Sequence, residues 1–316
     1  MLMKSLAKLK KITGDASFRE FYRNKENKSI VVISKKEKLK NLLIYDAINK
    51  ILIKNKILAP NLLSENYINN YIEINDLRDQ TLFQVLKNKK NNKYVIFKKI
   101  IKILNKIQLI KDKKVKNFKN KLYKVQEYNN KILLDETKLF CDWYAPKILP
   151  KVKSIKFNKK FKLEIKNLLS KLNYKNVTFV HRDFHISNLM YFDKKIAVID
   201  SQDALIGNRA YDLASLVDDV RLKTSNEFKE KVFKFYIKTN KKIDLEKFKK
   251  DFEILSVLRN LKIIGIFMRL AVRDNKKKYL KLIPYAWEMI NHRIKKQNEF
   301  NNLMLLLKKN FPKFIR

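Results

Sequence analysis

Apolar side chains recur along most of this chain three and four positions apart, the spacing that lines one face of a helix. Leu42, Leu43, Ala47, Ile48, Ile51 and Leu52 predict a helix over Asn41–Asn55, and helical spacing resumes from Thr81 through Val95–Ile110 and Tyr123–Phe140, then over about Lys159–Leu172. Further on, the same period predicts helices over Asn226–Lys238, Leu245–Arg273, Lys278–Ile294 and Glu299–Lys308. Strand patterns are few. A polar turn at Thr13–Ser17 leads into a strand over Phe18–Arg23, a turn at Asn24–Lys28 and a strand over Ile30–Ile33, a small antiparallel meander. Asn61–Ser64 and Tyr71–Ile74 predict a strand pair that runs into the polar connector Asn75–Asp79. The boundary between two lobes is expected there, with a hinge near 73–78: an antiparallel-sheet lobe over 1–78 and a larger, mainly helical lobe over 79–316. The fold class is therefore α+β.

Composition reinforces the helical reading. Only three glycines and five prolines punctuate 316 residues, and 46% of the chain is hydrophobic, enough to support a sizeable core. The lone cysteine, Cys141, excludes an intrachain disulfide and, with three histidines, a Cys/His zinc cluster. No window approaches 18 uncharged apolar residues, so a membrane span is not expected, and neither is a secretion signal; a cytoplasmic protein is. The net charge of +42 suggests a phosphate-backbone partner, yet 62 of the 73 basic residues are Lys, scattered through every segment. That distribution marks a solvated background and counts against nucleic acid. Where Arg persists in so Lys-biased a chain, its planar fork is the feature Lys cannot supply. Arg19, Arg23, Arg182, Arg209, Arg259, Arg269 and Arg273 all fall in segments of interest.

Candidate chemistry concentrates after the β-like segment Val177–Val180. Leu189–Phe192 and Ile196–Ile199 read as a hairpin with Asp193–Lys195 as its turn. Asn188 lies six residues before Lys194 and Asp200 six after it, so a symmetric register sets the two opposite each other, Cα atoms about 4.5–5.5 Å apart. An amide oxygen beside a carboxylate, with room for water and ligand phosphates, suits Mg²⁺ and predicts a Mg²⁺-nucleotide site. Asp183, on the loop five residues before Asn188, is placed to orient or accept the proton of an attacking hydroxyl in phosphoryl transfer. Asp203 adds a carboxylate that could hold a substrate hydroxyl. His185 faces the same loop and could touch Asp203 or the substrate, His181 braces the loop through backbone hydrogen bonds, and Asp212 caps or braces the helical pattern Tyr211–Val217.

HRDFHISN at 181–188 followed by VIDSQDA at 198–204 resembles the catalytic loop and metal motif of the aminoglycoside phosphotransferase family, small-molecule kinases with a bilobal, protein-kinase-like fold. Within it, TGDASFREFYR, LLDETKLFCDWY, DALIGNRAYDLASL and RNLKIIGIFMRLAVRDNKKKYL are similar to the anomeric kinases that phosphorylate N-acetylmuramate and N-acetylglucosamine at C1 in cell-wall peptidoglycan recycling. The resemblance implies ATP and Mg²⁺ as cofactors, Asp183 as catalytic base, and Asn188 and Asp200 as metal ligands. It implies that Gly14, Asp15, Ala16, Ser17 and Phe18 turn over the ATP phosphates, and that the connector at Glu73, Asn75 and their neighbours pairs its backbone with adenine. One departure stands out: the strand IVVIS ends in Ser34 where relatives place a phosphate-binding Lys, leaving Lys35 or Lys36 as alternatives and Asp46 as candidate helix acid.

For the acceptor, the resemblance and the chemistry of pyranose stacking point to Asp142, Trp143 and Tyr144. Arg182 and Arg209 are candidates for an acidic substituent such as the lactyl carboxylate of N-acetylmuramate. The implied activity is ATP-dependent transfer to a sugar hydroxyl by a cytoplasmic monomer. Two rivals remain: the same family acting on an aminoglycoside or another hydroxyl metabolite, and a non-catalytic nucleotide- or nucleic-acid-binding module.

Overall fold

The computed structural model of the chain describes residues 9–12, 19–24, 26, 28–88, 90–295 and 297–315. The expected turn at Thr13–Ser17, with Gly14, Asp15, Ala16, Ser17 and also Phe18, lies outside the described residues. By packing, the chain divides into two compact units, one of residues up to 126 together with 181–205, the other of 127–180 together with 206–316. Secondary structure does change from sheet to helix after the connector. Packing nevertheless keeps the helices Leu82–Lys87 and Lys93–Gln108 in the same unit as the sheet.

The first unit is built on a five-stranded antiparallel sheet in the order β1-β2-β3-β5-β4: β1 Lys10–Ile12, β2 Glu20–Asn24, β3 Ser29–Ile33, β4 Leu62–Asn66 and β5 Tyr71–Asn75. β1 was not expected, because three residues are too few to show a period of two. Helix α1, Lys40–Lys54, closes the core: Leu42 and Tyr45 pack with Ile30 and Val32 of β3 and Ile72 and Ile74 of β5. β3 is Ser-Ile-Val-Val-Ile, a β-branched run suited to a strand flanked on both sides.

The helix expected over Tyr123–Phe140 is corrected. Leu122–Lys124 is instead a strand paired with Lys114–Lys116, across a turn in which Asn117 Oδ1 accepts from the amides of Lys119 and Lys121 at 2.9 and 3.2 Å. The helix begins only at Asn130, where Asn129 caps it by accepting from the Ile132 amide at 3.0 Å. Tyr123 lies in that strand, and Val125, just past it, is buried with its amide donating to the Lys113 carbonyl at 2.9 Å.

The second unit is mainly helical and is organised by the 29-residue helix Leu245–Arg273, buried continuously from Asp251 to Gly265. A helix buried on all sides belongs in a core, here among Asn130–Thr137, Lys151–Ser170, Ala210–Val217, Asn226–Lys238, Ile283–Ile294 and Asn301–Asn310. Gly265 lets it press on the π-helical turn Phe140–Tyr144: a Cβ there would lie 2.3 Å from the carbonyl carbon of Leu139. The expected helix Lys278–Ile294 starts later, at Ile283 with Pro284 in its first turn, after a 3₁₀ stretch Lys277–Leu282. Among the described residues no helix is long and apolar enough to cross a membrane.

Candidate active site

Strand Thr178–Val180 feeds a loop with a left-handed residue, Arg182 at φ 75°, and the hairpin after it ends on a second, Asp200 at φ 62°. Side chains other than glycine adopt that region at a cost of order 1–3 kcal/mol, so neighbours must hold them there. Arg182 Nη1 donates to the Asp203 carbonyl oxygen at 3.3 Å and stands 3.8 Å from Asp203 Oδ1. Asp200 Oδ1 accepts from Arg19 Nη2 at 2.8 Å and from Gln202 Nε2 at 3.1 Å. The adjoining Ser201 is fully buried and donates its hydroxyl to Asn49 Oδ1 on α1 at 2.6 Å.

Asp183 is fixed through its main chain. Its carbonyl accepts from the His185 amide at 2.9 Å and from Asn188 Nδ2 at 3.0 Å. The Asn188 amide nitrogen is thereby committed to the loop, and its Oδ1 is left as the oxygen for a cation. His185 Nε2 lies 3.4 Å from the same Asn188 nitrogen, so this ring meets Asn188. His181 is wholly buried and donates Nε2–H to the Ile199 carbonyl at 3.0 Å, the bracing role expected of it. Burial pushes the pKa of its imidazole down, against the upward pull of Asp183, Asp200 and Asp203.

The hairpin exists, but its register differs by one residue from the symmetric count. Phe192 pairs with Lys195 and Leu189 with Val198, around a two-residue turn in which Asp193 and Lys194 both have positive φ, 46° and 61°. Such turns match the twist of paired strands, which favours the tighter loop. Asn188 consequently stands opposite Ile199, whose amide donates to its carbonyl at 3.0 Å, and not opposite Asp200. In a regular strand a one-residue shift would turn Asp200 to the other face. Asp200 escapes that rule because the strand ends at Val198 and its own backbone is left-handed.

Arg182, Asp183, His185, Asn188, Asp200 and Asp203 thus share one unit and one short segment. The other candidates fall elsewhere. Glu73 accepts from the Ser29 hydroxyl and, at 3.1 Å, from that of Ser64; Asn75 Oδ1 accepts from the Asn61 amide at 2.5 Å. Both side chains are occupied within the sheet. The connector after them is gripped by Arg23, whose Nε and Nη2 bond Asp76 at 2.6 and 3.1 Å and whose Nη1 bonds Asp79 at 2.6 Å.

In the second unit, Arg209 Nη2 donates to Asn240 Oδ1 at 3.1 Å, and exposed Asp142 stands 3.7 Å from Lys138. Trp143 is half-buried. Tyr144 is a core residue, contrary to expectation: 2% exposed, it packs against Phe140, Trp287 and Phe311 and accepts from Trp287 Nε1 at 3.2 Å. A ring that stacks on a sugar needs an open face, and this one has none.

Several residues at the site were not assigned a role by sequence. Arg19 is 4% exposed, with its guanidinium 5.0 Å from the Tyr45 ring centroid. Its signal was the survival of Arg in a Lys-rich chain. Tyr45 and Asn49 flank Asp46, which itself pairs with Lys50 at 2.9 Å, four residues on. The Ser34 hydroxyl turns to the carbonyls of Lys35 and Lys38 at 3.3 and 3.2 Å.

The donor set fits a small hard cation. Asn188 Oδ1 and Asp200 Oδ2 are two oxygens of the kind Mg²⁺ takes, and Mg²⁺ draws few ligands from protein when a nucleotide supplies the rest. No group of three acidic, His or Cys side chains forms an all-protein cage among the described residues.

The sequence profile of the phosphotransferase enzyme family matches residues 8–248. The N-acetylmuramate/N-acetylglucosamine kinase of Neisseria meningitidis serogroup B is 35% identical over 164 residues, 50% of this chain and 49% of that protein. The chain therefore spans about half the length of this relative, and the same holds for a Caulobacter vibrioides protein of that name. The Pseudomonas aeruginosa protein of that name is 27% identical over 308 residues, 95% of this chain and 88% of its own. Among solved structures, aminoglycoside phosphotransferase APH(2'')-Ib with ADP bound superposes with a TM-score of 0.60 at 18% identity, covering 92% of this chain and 97% of that one. That likeness confirms the fold class expected from sequence.

Proposed function

Because the chain belongs to the phosphotransferase enzyme family, we propose that it is an ATP-dependent sugar kinase that transfers the γ-phosphoryl group to the anomeric C1 hydroxyl of N-acetylmuramate and N-acetylglucosamine. The observation that carries the reading is the fixed loop: Asn188 ties the Asp183 carbonyl with its amide nitrogen and keeps its oxygen for a cation, while Asp200 is held in a left-handed turn close by in sequence. The relatives' names supply the acceptor.

Phosphoryl transfer asks a protein mainly to position groups and neutralise charge. Asp183 takes the proton of the C1 hydroxyl as its oxygen attacks the γ-phosphorus, the bond to the β–γ bridging oxygen breaks, and ADP departs with that electron pair. Mg²⁺ held by Asn188 and Asp200 would supply charge neutralisation at the phosphates when bound. Arg182, tied to Asp203, holds the backbone turn that presents Asp183. The product is a sugar 1-phosphate, made in the cytoplasm by a monomer and feeding peptidoglycan recycling.

Phosphorus NMR of the protein with Mg-ATP and each sugar in turn tests this. The expected result is an anomeric phosphate doublet, lost in Asp183→Ala by roughly 10²- to 10⁴-fold in rate while nucleotide binding persists. Undiminished turnover in that variant removes Asp183 as base, and ATP consumption with neither sugar removes the acceptor.

A further inference from the structure

Asp200, the carboxylate assigned to a cation, is gripped by a side chain 181 residues away in sequence. Arg19, just before β2, is buried, and its Nη2 donates to Asp200 Oδ1 at 2.8 Å. Gln202 Nε2 donates to the same oxygen at 3.1 Å, so among the described residues Asp200 Oδ2 accepts no hydrogen bond. Aromatic rings fix the guanidinium in turn: its Cζ lies 5.0 Å from the Tyr45 centroid and 5.6 Å from that of Phe21. Burial pushes the Tyr45 phenol up to about 12, so the ring beside Arg19 stays neutral.

Tyr45 and Asn49 lie one turn apart on α1, and Asn49 accepts from the hydroxyl of Ser201, the residue after Asp200. Two ties therefore run from α1 to this turn, one through Arg19 and one through Ser201, and all these residues belong to the first unit. Strand β3 brings no cation to it. Ser34 turns its hydroxyl to the carbonyls of Lys35 and Lys38, Lys35 and Lys36 are exposed, and Asp46 pairs with Lys50.

Two effects of Arg19 on a bound cation oppose each other. Its charge weakens the pull of Asp200 on the cation, while its hydrogen bond fixes the direction in which the carboxylate faces. The Asp200 side chain is 41% exposed, so solvent screens the first effect. Orientation is the stronger one, because Asp200 stands on a left-handed backbone and Mg²⁺ demands near-ideal octahedral geometry.

We propose that Arg19 is the positioning residue of the cation site: by holding Asp200 Oδ1 it turns Oδ2 toward the Mg²⁺ that accompanies the nucleotide. The inference rests on the kinase reading above and adds to it a residue that touches neither substrate nor phosphate.

Calorimetry of ADP binding with and without Mg²⁺, in wild type, Arg19→Met and Arg19→Lys, tests this without turnover. In wild type Mg²⁺ should tighten ADP binding. In Arg19→Met the Mg²⁺ concentration giving half of that gain should rise roughly 10- to 100-fold, while ADP affinity in EDTA changes less than about threefold. Arg19→Lys, which keeps a charged donor, should recover part of the loss. If Arg19→Met does not fold, Arg19→Gln takes its place with the same expectation. An unchanged Mg²⁺ requirement overturns the proposal, and so does an equal loss of Mg²⁺-free ADP binding. A tighter Mg²⁺ requirement also overturns it, since Arg19 would then compete with the cation.

With sugar present, raising Mg²⁺ should return kcat of Arg19→Met toward wild type, a rescue that a merely distorted turn would not allow; its failure overturns the proposal. Where wild type binds Mg-ADP but phosphorylates neither sugar, the kinase reading fails by itself and the ADP titration still decides the role of Arg19. No gain from Mg²⁺ in wild type overturns that role directly.

Discussion

Arg293 and Arg259 are buried alike in the second unit, 2% and 3% exposed, and their surroundings are opposite. Arg293 forks onto Asp218, Nε to Oδ2 at 2.9 Å and Nη2 to Oδ1 at 3.1 Å, and its guanidinium lies 4.7 Å from the Phe252 ring centroid. Asp218 is further engaged by Lys229 at 3.2 Å and by the Ser256 hydroxyl at 2.5 Å. Burial alone would raise the pKa of the Asp218 carboxyl; Arg293 and Lys229 more than reverse that and hold it below the usual carboxylate range. Ser256 and Arg259 sit one turn apart on one helix, yet the first belongs to a saturated network and the second keeps its Nη1 without a hydrogen-bond partner. Equal burial does not imply equal pairing.

Removing one partner of the saturated network should have the largest effect. Asp218→Ala leaves Arg293 and Lys229 buried without their shared carboxylate, which predicts a loss of about 3–5 kcal/mol in urea unfolding. If that variant were as stable as wild type, the contrast with Arg259 would collapse, since both arginines would then tolerate isolation. The near-neutral or raised stability expected for Arg259→Met in the same unfolding is its counterpart of opposite sign.

Arg19 is the intermediate case. Its side chain is 2% exposed, but the Asp200 carboxylate it meets is 41% exposed, so solvent screens the pair. A double-mutant cycle of Arg19→Met with Asp200→Asn should give a coupling of about 1 kcal/mol, reduced by added salt. A coupling as large as that at Asp218 would class Arg19 with the scaffold; none at all would detach it from Asp200.

The same contrast explains what could be read from the chain alone. Leu245–Arg273 is legible because 29 residues of apolar periodicity outweigh local noise, and the loop and hairpin around Asp183 are legible because their signals are contiguous. Hairpin register was misjudged by one residue because Asp193 and Lys194 carry none of the glycine that usually announces a two-residue turn. Tyr144 looked like a sugar platform beside Trp143 because sequence does not tell which of two adjacent aromatic rings faces the core. Arg19 and Asp200 are 181 residues apart, and no local pattern announces a contact of that span. The partner status of Arg259 is equally tertiary. Sequence marked only that an Arg had persisted.

His181 sharpens the comparison from the other side, because a buried imidazole can do what a guanidinium cannot and give up its proton. Its Nε2–H bond to Ile199 needs only the neutral ring, and burial lowers the folded-state pKa despite three nearby carboxylates. Between the folded value and the ordinary 6.5 or so of an exposed His, the unfolded chain binds the proton that the folded one refuses. The stabilisation is therefore complete above that ordinary value and declines as pH falls below it. The effect is modest, at most about 1.3 kcal/mol between pH 7 and pH 5.5, the limit set by protonating the unfolded ring. Urea midpoints of wild type and His181→Gln across that interval should converge as pH falls, since Gln can keep the amide donor to Ile199 but has no proton to refuse. Parallel pH profiles would mean that His181 titrates alike in the folded and unfolded chain, the carboxylates of Asp183, Asp200 and Asp203 offsetting its burial.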